Sequence, residues 1–201
     1  FNYDPGPYQD YSHLVPGERV LLKFDYNINS RNKLSARYNQ LDSSTDVLLS
    51  NSSSLGFGNR RTLSTGLNFQ GSNYQILENR KSFVSELNTV IGSTMSNSLI
   101  VGFNKSDESR STRVGSFFPF LDILNASTVY TSFGYEPFTP NNELRYEEFQ
   151  LQNNFTRFSE KHSITGGFSY EKYNSENVFF PGAQSAYVYN SLQDFYDDVN
   201  R

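Results

Sequence analysis

Between residues 18 and 44, in ERVLLKFDYNINSRNKLSARYNQLDSS, apolar and polar positions alternate over two stretches. The even positions Val20, Leu22, Phe24, Tyr26 and Ile28 are interleaved with Lys23, Asp25, Asn27 and Asn29. After Ser30-Arg31-Asn32 the alternation resumes, with Leu34, Ala36 and Tyr38 set against Lys33, Ser35, Arg37 and Asn39. A period of two sends successive side chains to opposite faces of a pleated strand. The spacing therefore predicts an antiparallel hairpin with one apolar face and one wet face.

Two more pairs follow the same rule. Phe83, Ser85, Leu87, Thr89 and Ile91 precede the turn GSTMSN, and Leu99, Val101 and Phe103 return on the same parity. Opposed residues of an antiparallel pair share a face and have a constant sum of positions. Ile91 opposite Leu99, and Leu87 opposite Phe103, predict an odd-length loop centred on Met95. In the third pair Phe149, Leu151 and Phe155 are odd, whereas Ile164, Phe168 and Tyr170 are even. That switch requires an even-length loop. Pairing Phe155 with Ile164 leaves either Ser159-Glu160 or the four residues around them; with no Asn-Gly present, the four-residue turn is favoured.

The fold class predicted is all-β, built of antiparallel up-and-down strands. Connections inside the hairpins are short (about 29–33, 93–97 and 159–161), whereas those between hairpins are long (about 42–81, 106–146 and beyond 174). Compact domains seldom use loops beyond about 12–15 residues. Short turns on one side and long loops on the other are the pattern of an outer-membrane barrel, whose strands need about 9–11 residues to span. A soluble sandwich or jelly roll also gives half-buried alternating strands. As a barrel, six strands are an arc of a larger one, since about eight is the bacterial minimum.

The long loops carry apolar residues of their own. Leu63, Thr65, Leu67 and Phe69 before QGSN suggest an accessory hairpin. Phe117, Phe118 and Phe120 are too apolar to be left in water, and two readings fit the region. The aromatics either pack the loops into a cap, or Tyr130, Phe133, Tyr135 and Phe138 form a ligand-contacting surface. In NSLQDFYDDVN the period changes: Leu192, Phe195, Tyr196 and Val199 share a helical face, with Ser191 as N-cap. This face is expected to pack on neighbouring loops.

Composition narrows the function. The 201 residues include 18 Phe and 14 Tyr, too aromatic for disorder, yet only 36% are hydrophobic. The net charge is −4 with no Lys/Arg cluster, so nucleic acid is not an expected partner. There is no cysteine, which removes disulfides and thiolate metal sites. No apolar run approaches a membrane-spanning helix. The chain opens on Phe1 without a signal-peptide pattern and reads as an internal piece of a longer protein.

Catalytic chemistry has one candidate. The third hairpin's expected register sets Glu148 opposite Glu171, and two opposed carboxylates can form an acid/nucleophile pair in a jelly-roll glycosidase. Against it, Arg157 and Lys172 lie near in sequence. His13 and His162 are far apart without a Glu-x-x-His pattern, so no metal site is expected, and no motif asks for a cofactor. No nucleophile elbow supports a Ser/His/Asp triad. Asp107-Glu108 and Asp197-Asp198 lack ordered Ca²⁺-ligand spacing. An enzyme is not the expectation.

The segments KFDYNINSRNKLSARYNQLDSS, LNFQGSNYQILEN, YTSFGYEPFTPNNELRY and EKYNSENVFFPGAQSAYVYNSL resemble the β-barrel of TonB-dependent outer-membrane receptors, in the Oar-like branch common in Bacteroidetes. The resemblance runs from about Val20 to the end. It implies a 22-stranded barrel plugged by an N-terminal domain, energised by TonB, and importing ligands too large or scarce for porins. On that reading residues 1–201 are a partial barrel domain, without plug, TonB box or C-terminal aromatic strand. Its partners would be outer-membrane lipid, the protein's own plug, the TonB complex and an unknown extracellular ligand. An adhesin or porin without TonB coupling shares the same barrel and loops.

Val20, Leu22, Phe24, Ile28, Leu87, Leu99, Val101, Phe103, Leu151 and Phe168 are then expected to contact acyl chains. Lys23, Asp25, Asn27, Lys33, Ser35 and Arg37 should face the lumen. Tyr26 and Tyr38 suit either an aromatic girdle or an ordinary sheet position. Phe24→Arg is expected to lower folding yield in lipid vesicles more than Lys23→Phe does; equal yields would count against these faces.

Overall fold

The structure is a computed structural model and describes residues 3–52, 66–114 and 117–201. Six long antiparallel strands form one continuous up-and-down sheet: β1 (Gly17–Asn29), β2 (Asn32–Val47), β4 (Tyr74–Ile91), β5 (Met95–Thr112), β8 (Glu143–Phe158) and β9 (Ser163–Val178). Each pairs with the next, so β1 and β9 are the edges and the sheet is open. The connections between β2 and β4, between β5 and β8, and after β9 carry four shorter strands and a helix. These are β3 (Leu67–Asn68), β6 (Phe120–Asn125), β7 (Thr128–Phe133), β10 (Ala186–Tyr189) and α1 (Leu192–Val199).

In the first hairpin Leu22 lies opposite Tyr38, Phe24 opposite Ala36 and Tyr26 opposite Leu34, which keeps the expected apolar set on one face. Its turn is held by Asn29, whose side-chain Oδ1 accepts from the Arg31 N–H (2.9 Å) and the Asn32 N–H (3.0 Å). Such Asx bonding gives the chain a local reason to reverse here. In the second hairpin Ile91 pairs with Met95, not Leu99, and Leu87 pairs with Leu99, not Phe103. Gly92 adopts φ +63°, which lets the chain reverse within 92–94 and releases Met95 into the ladder. In the third, Phe155 meets Gly166 and Arg157 meets Ile164, a slip of two from the expected pairing. The turn is 159–162, still even in length, closed by the Ser159 N–H donating to the His162 carbonyl (2.8 Å). Both slips are even, so faces are kept while partners change.

The slip removes the direct carboxylate pair. Glu148 lies opposite Tyr173, and Glu171 opposite Gln150. Glu148 accepts instead from the side-chain amides of Asn104 (3.0 Å) and Gln150 (2.7 Å). The glycosidase reading therefore loses the geometry on which it stood.

Across the sheet the registers assemble rows. One runs Leu22, Tyr38, Phe83, Phe103, Phe149; another runs Tyr26, Leu34, Leu87, Leu99, Asn153, Phe168. These share a face, and no protein layer covers it: Phe24 is 57% exposed and Phe168 59%. A sandwich or jelly roll would have buried them under a second sheet. The opposite face carries Lys23, Arg37, Gln150 and Glu171 in one row and Asp25, Ser35, Glu86, Gln152 and Ser169 in the next.

The long strands, 13 to 18 residues, exceed the expected span. Beyond the apolar rows, the apolar side of the sheet turns polar at Gln40, Lys81, Lys105 and Glu147, then at Asp42, Asn79, Asp107 and Arg145. Lys105 pairs with Glu147 (2.7 Å), and Arg145 with Asp107 (3.3 Å) and Glu176 (3.1 Å). Exposed pairs of this kind add little to stability, because water and salt screen them. The backbone ladder, not the side chains, extends the strands here.

Buried apolar side chains lie in the loops. Leu49, Phe120 and Phe138 form one cluster, and Leu121, Ile123 and Val129 are also buried. Phe118 and Phe120 thus belong to a loop module as a cap would require, while Phe117 stays exposed. Leu67–Asn68 pairs in parallel with β7 instead of forming an accessory hairpin. Leu63 and Thr65, the rest of that expected hairpin, lie outside the described residues. Gly134 (φ +89°) passes so close to the Pro119 carbonyl that an added Cβ would overlap it. Gly134→Ala is expected to loosen the loop module while leaving the long sheet intact. Limited proteolysis of refolded protein should show new cleavage within 113–142 and an unchanged β-sheet circular dichroism signal.

Candidate ligand site in the outer loops

The loop module is a second, four-stranded sheet in the order β10-β6-β7-β3. Its centre is the β6–β7 hairpin, which turns at Ala126 and Ser127, both at positive φ (49° and 71°). A two-residue turn with both residues left-handed matches the natural twist of a hairpin. β10 adds in parallel to β6, and β3 in parallel to β7. Within the module, the Ser132 hydroxyl donates to the buried Asp122 carboxylate (2.5 Å), and the Ser72 hydroxyl donates to the Ser132 carbonyl (3.2 Å).

Two polar clusters fasten the module. Glu136 is fully buried, and its Oε2 accepts from the N–H groups of Phe138 (2.9 Å) and Thr139 (2.7 Å) and from the Thr139 hydroxyl (2.6 Å). Burial pushes its carboxyl above the usual range, and these hydrogen bonds offset only part of that rise. The Gln184 side-chain amide donates to the Glu136 carbonyl (2.8 Å), joining the loop before β8 to the loop after β9. The second cluster ties down the N-terminal segment. Arg113 and Asp46 form a buried ion pair (2.7 Å), and Asp46 also accepts from the Leu14 N–H (2.7 Å) and the Gln75 amide (2.8 Å). Arg113 in turn donates to the Ser12 carbonyl (3.2 Å) and lies over the Tyr11 ring.

These fastenings bring together rings that are distant in sequence. Tyr3 stacks on Phe118 with centroids 4.2 Å apart, and Phe118 stacks on Phe133 at 6.2 Å. Phe133 meets Phe195 of α1 edge-on at 5.9 Å. The helix is placed as expected: the Ser191 hydroxyl caps it by accepting from the Asp194 N–H (3.1 Å), and its Phe195 also packs edge-on against Tyr189. Between helix, hairpin and N-terminal segment lies a cavity of about 460 Å³. Ile123 and Thr131 form its floor, while Tyr130 and Tyr196, 46% and 49% exposed, stand at its lip. Among the described residues no carboxylate, ammonium, guanidinium or imidazole lines it.

Of the four expected ligand-contacting aromatics, Tyr130 and Phe133 line this cavity. Tyr135 lies outside it, edge-on to Phe117 at 6.1 Å, and Phe138 is buried in the module core. Sequence reasoning treated Phe118, Phe195 and Tyr196 as packing residues and did not join them to the site. The aromatic density of their segments was the available signal.

The other chemical candidates are occupied elsewhere. Asp107 pairs with Arg145 and Glu108 with Arg110 (2.8 Å). Asp197 accepts from the Gln193 amide and Asp198 from the Tyr189 hydroxyl, each at 2.8 Å. Among the described residues no group of three or more His, Cys, Asp or Glu side chains gathers as a metal site.

An open up-and-down sheet, apolar on one face, with short turns at one end and structured loops at the other, has a match among protein families. The family model for an outer membrane beta barrel domain covers residues 7–196. The chain belongs to that family. No match was found among curated proteins or among solved structures. As an outer membrane barrel domain, the chain resides in the bacterial outer membrane, which it crosses with strands. No described helix is long and apolar enough to cross a membrane.

The buried Glu136 gives this barrel domain a pH dependence. Its folded carboxyl holds a proton at pH values where the unfolded one has lost it. The module is therefore most stable below the unfolded value, about 4.3, and loses that increment as pH rises through the folded value. Hydrogen exchange at the Thr139 amide is expected to quicken from pH 4 to 7, after correction for intrinsic exchange. In Glu136→Gln the pH effect should vanish; its persistence there would assign it to another group.

Proposed function

We propose that the six-stranded sheet is an arc of the barrel of a TonB-dependent receptor of the Oar-like branch. In this reading the receptor captures a ligand at its extracellular loops and imports it through a plugged barrel. The observation that carries the reading is the asymmetry of the sheet's two ends: three tight turns at one, and at the other a loop module with its own core and an aromatic cavity. A passive pore has little use for so much ordered structure at its mouth. The tight turns are periplasmic and the loop module is extracellular.

The uncovered apolar face supports the placement in lipid. On β4 the apolar rows run from Phe83 to Ile91. At about 3.4 Å per residue and a tilt of roughly 40°, that stretch is about 21 Å tall, close to the ~25 Å apolar band of such barrels. Val20, Leu22, Phe24, Ile28, Leu87, Leu99, Val101, Phe103, Leu151 and Phe168 then contact acyl chains. The Lys23, Arg37 and Glu171 face borders the lumen and the plug. The unpaired edges of β1 and β9 take up further strands of the parent barrel, because an open edge in hydrocarbon leaves N–H and C=O groups unsatisfied.

The deciding experiment compares ligand uptake by cells expressing the full-length protein with and without a functional TonB complex. Loss of uptake with surface binding retained is the expected result. Uptake that persists without TonB would make the protein a porin, and binding without uptake in either strain would make it an adhesin.

A further inference from the structure

The aromatic cavity of the loop module has a composition that selects its ligand. Its lining is rich in rings, with Tyr3, Phe118 and Phe133 in one stack and Phe195 edge-on to Phe133, beside the buried Ile123. Its polar groups are hydroxyls, among them those of Thr131, Tyr130 and Tyr196. With no ionised side chain among the described lining residues, a phosphate, carboxylate or cationic ligand would lose its hydration without gaining a counter-charge from them. A hydrocarbon would fit the walls but not the setting. The cavity is open, its lip tyrosines are half exposed, and an occupant keeps part of its own surface in water. The ligand that satisfies both conditions has apolar C–H faces to stack on rings and hydroxylated edges to meet hydroxyls and water.

We propose that this cavity binds a short neutral glycan, whose sugar rings stack on Tyr130 and Tyr196 at the lip and on Phe195 within. The volume, about 460 Å³, lies in the range of small-molecule sites and accommodates a few sugar rings at most. Stacking of this kind uses pre-positioned rings. Phe195 is held edge-on by Phe133 and Tyr189, and α1 is fixed by its Ser191 cap, so little side-chain freedom is lost on binding. This inference rests on the receptor reading only for the cavity's exposure to the cell exterior; binding itself needs neither TonB nor the plug.

The test uses the detergent-solubilised full-length protein on an array of immobilised neutral and acidic glycans. Binding to neutral glycans is expected, weakened about tenfold by Tyr130→Ala or Tyr196→Ala. Phe179→Ala, at an exposed aromatic outside the cavity, should bind as the native protein does. Equal binding to neutral and acidic glycans, or binding unaffected by both tyrosine variants, overturns the proposal. So does an array with no bound glycan while the neutral aromatic probe N-phenyl-1-naphthylamine binds and is lost in the tyrosine variants. The two readings fail separately. An empty array with TonB-dependent uptake intact refutes the glycan assignment alone, whereas glycan binding with TonB-independent uptake refutes the receptor reading alone.

Discussion

A strand crossing hydrocarbon has no water to hydrogen-bond its peptide groups, so each N–H and C=O must find a partner on a neighbouring strand. The long sheet follows from that constraint. Its six strands pair in chain order, each antiparallel to the next, and the ladder is uninterrupted from the tight turns to the outer ends of β4 and β5. The same constraint makes the side chains secondary. With the backbone satisfied by the ladder, the chain can be polar on average, can set Lys23, Arg37 and Glu171 on one face, and needs only half its strand residues to be apolar.

Where the apolar rows end, the ladder continues for a different reason. Above Gln40, Lys81 and Lys105 the face that was apolar is mostly polar, and the strand extensions carry the loop module beyond the apolar rows. The module then has to be stable by the rules of an aqueous protein. It has a small buried cluster around Phe120, a carboxyl at Glu136 whose Oε2 accepts from backbone donors, and an ion pair between Arg113 and Asp46 that leaves neither charge alone. Breaking that pair would leave the surviving charge without its partner. One chain thus holds two solutions to burial: a sheet whose apolar side is left uncovered by protein, and a loop module whose apolar side faces in.

This division explains what was legible in the sequence. Faces were readable wherever one face is apolar, since period-two alternation records burial directly; every even–odd assignment in the three hairpins agrees with the sheet. Partners were less readable. Slips of four at Met95 and two at Ile164 leave the alternation unchanged, and nothing in the pattern opposes them. The strand extensions carried no signal because residues such as Asn79, Asp107 and Arg145 are polar on a face that was apolar a few residues earlier. The parallel additions of β3 and β10 were invisible for a further reason: a strand of two or four residues has too few positions to show a period.

The aromatic cavity is the clearest case of information absent from any local window. Tyr3, Phe118, Phe133 and Phe195 come from the N-terminal segment, the approach to β6, the end of β7 and the helix, and of these Phe133 alone was expected at a ligand-contacting surface. They become a site only because the Arg113–Asp46 pair holds the N-terminal segment down and β10 carries the helix to the edge of β6. The rings that pack and the rings that line are consecutive members of one stack, so the site has no separate scaffold. Its walls are the unfinished surface of the module's own packing. At the place where its ring stack runs out, the module leaves aromatic side chains open to the cavity.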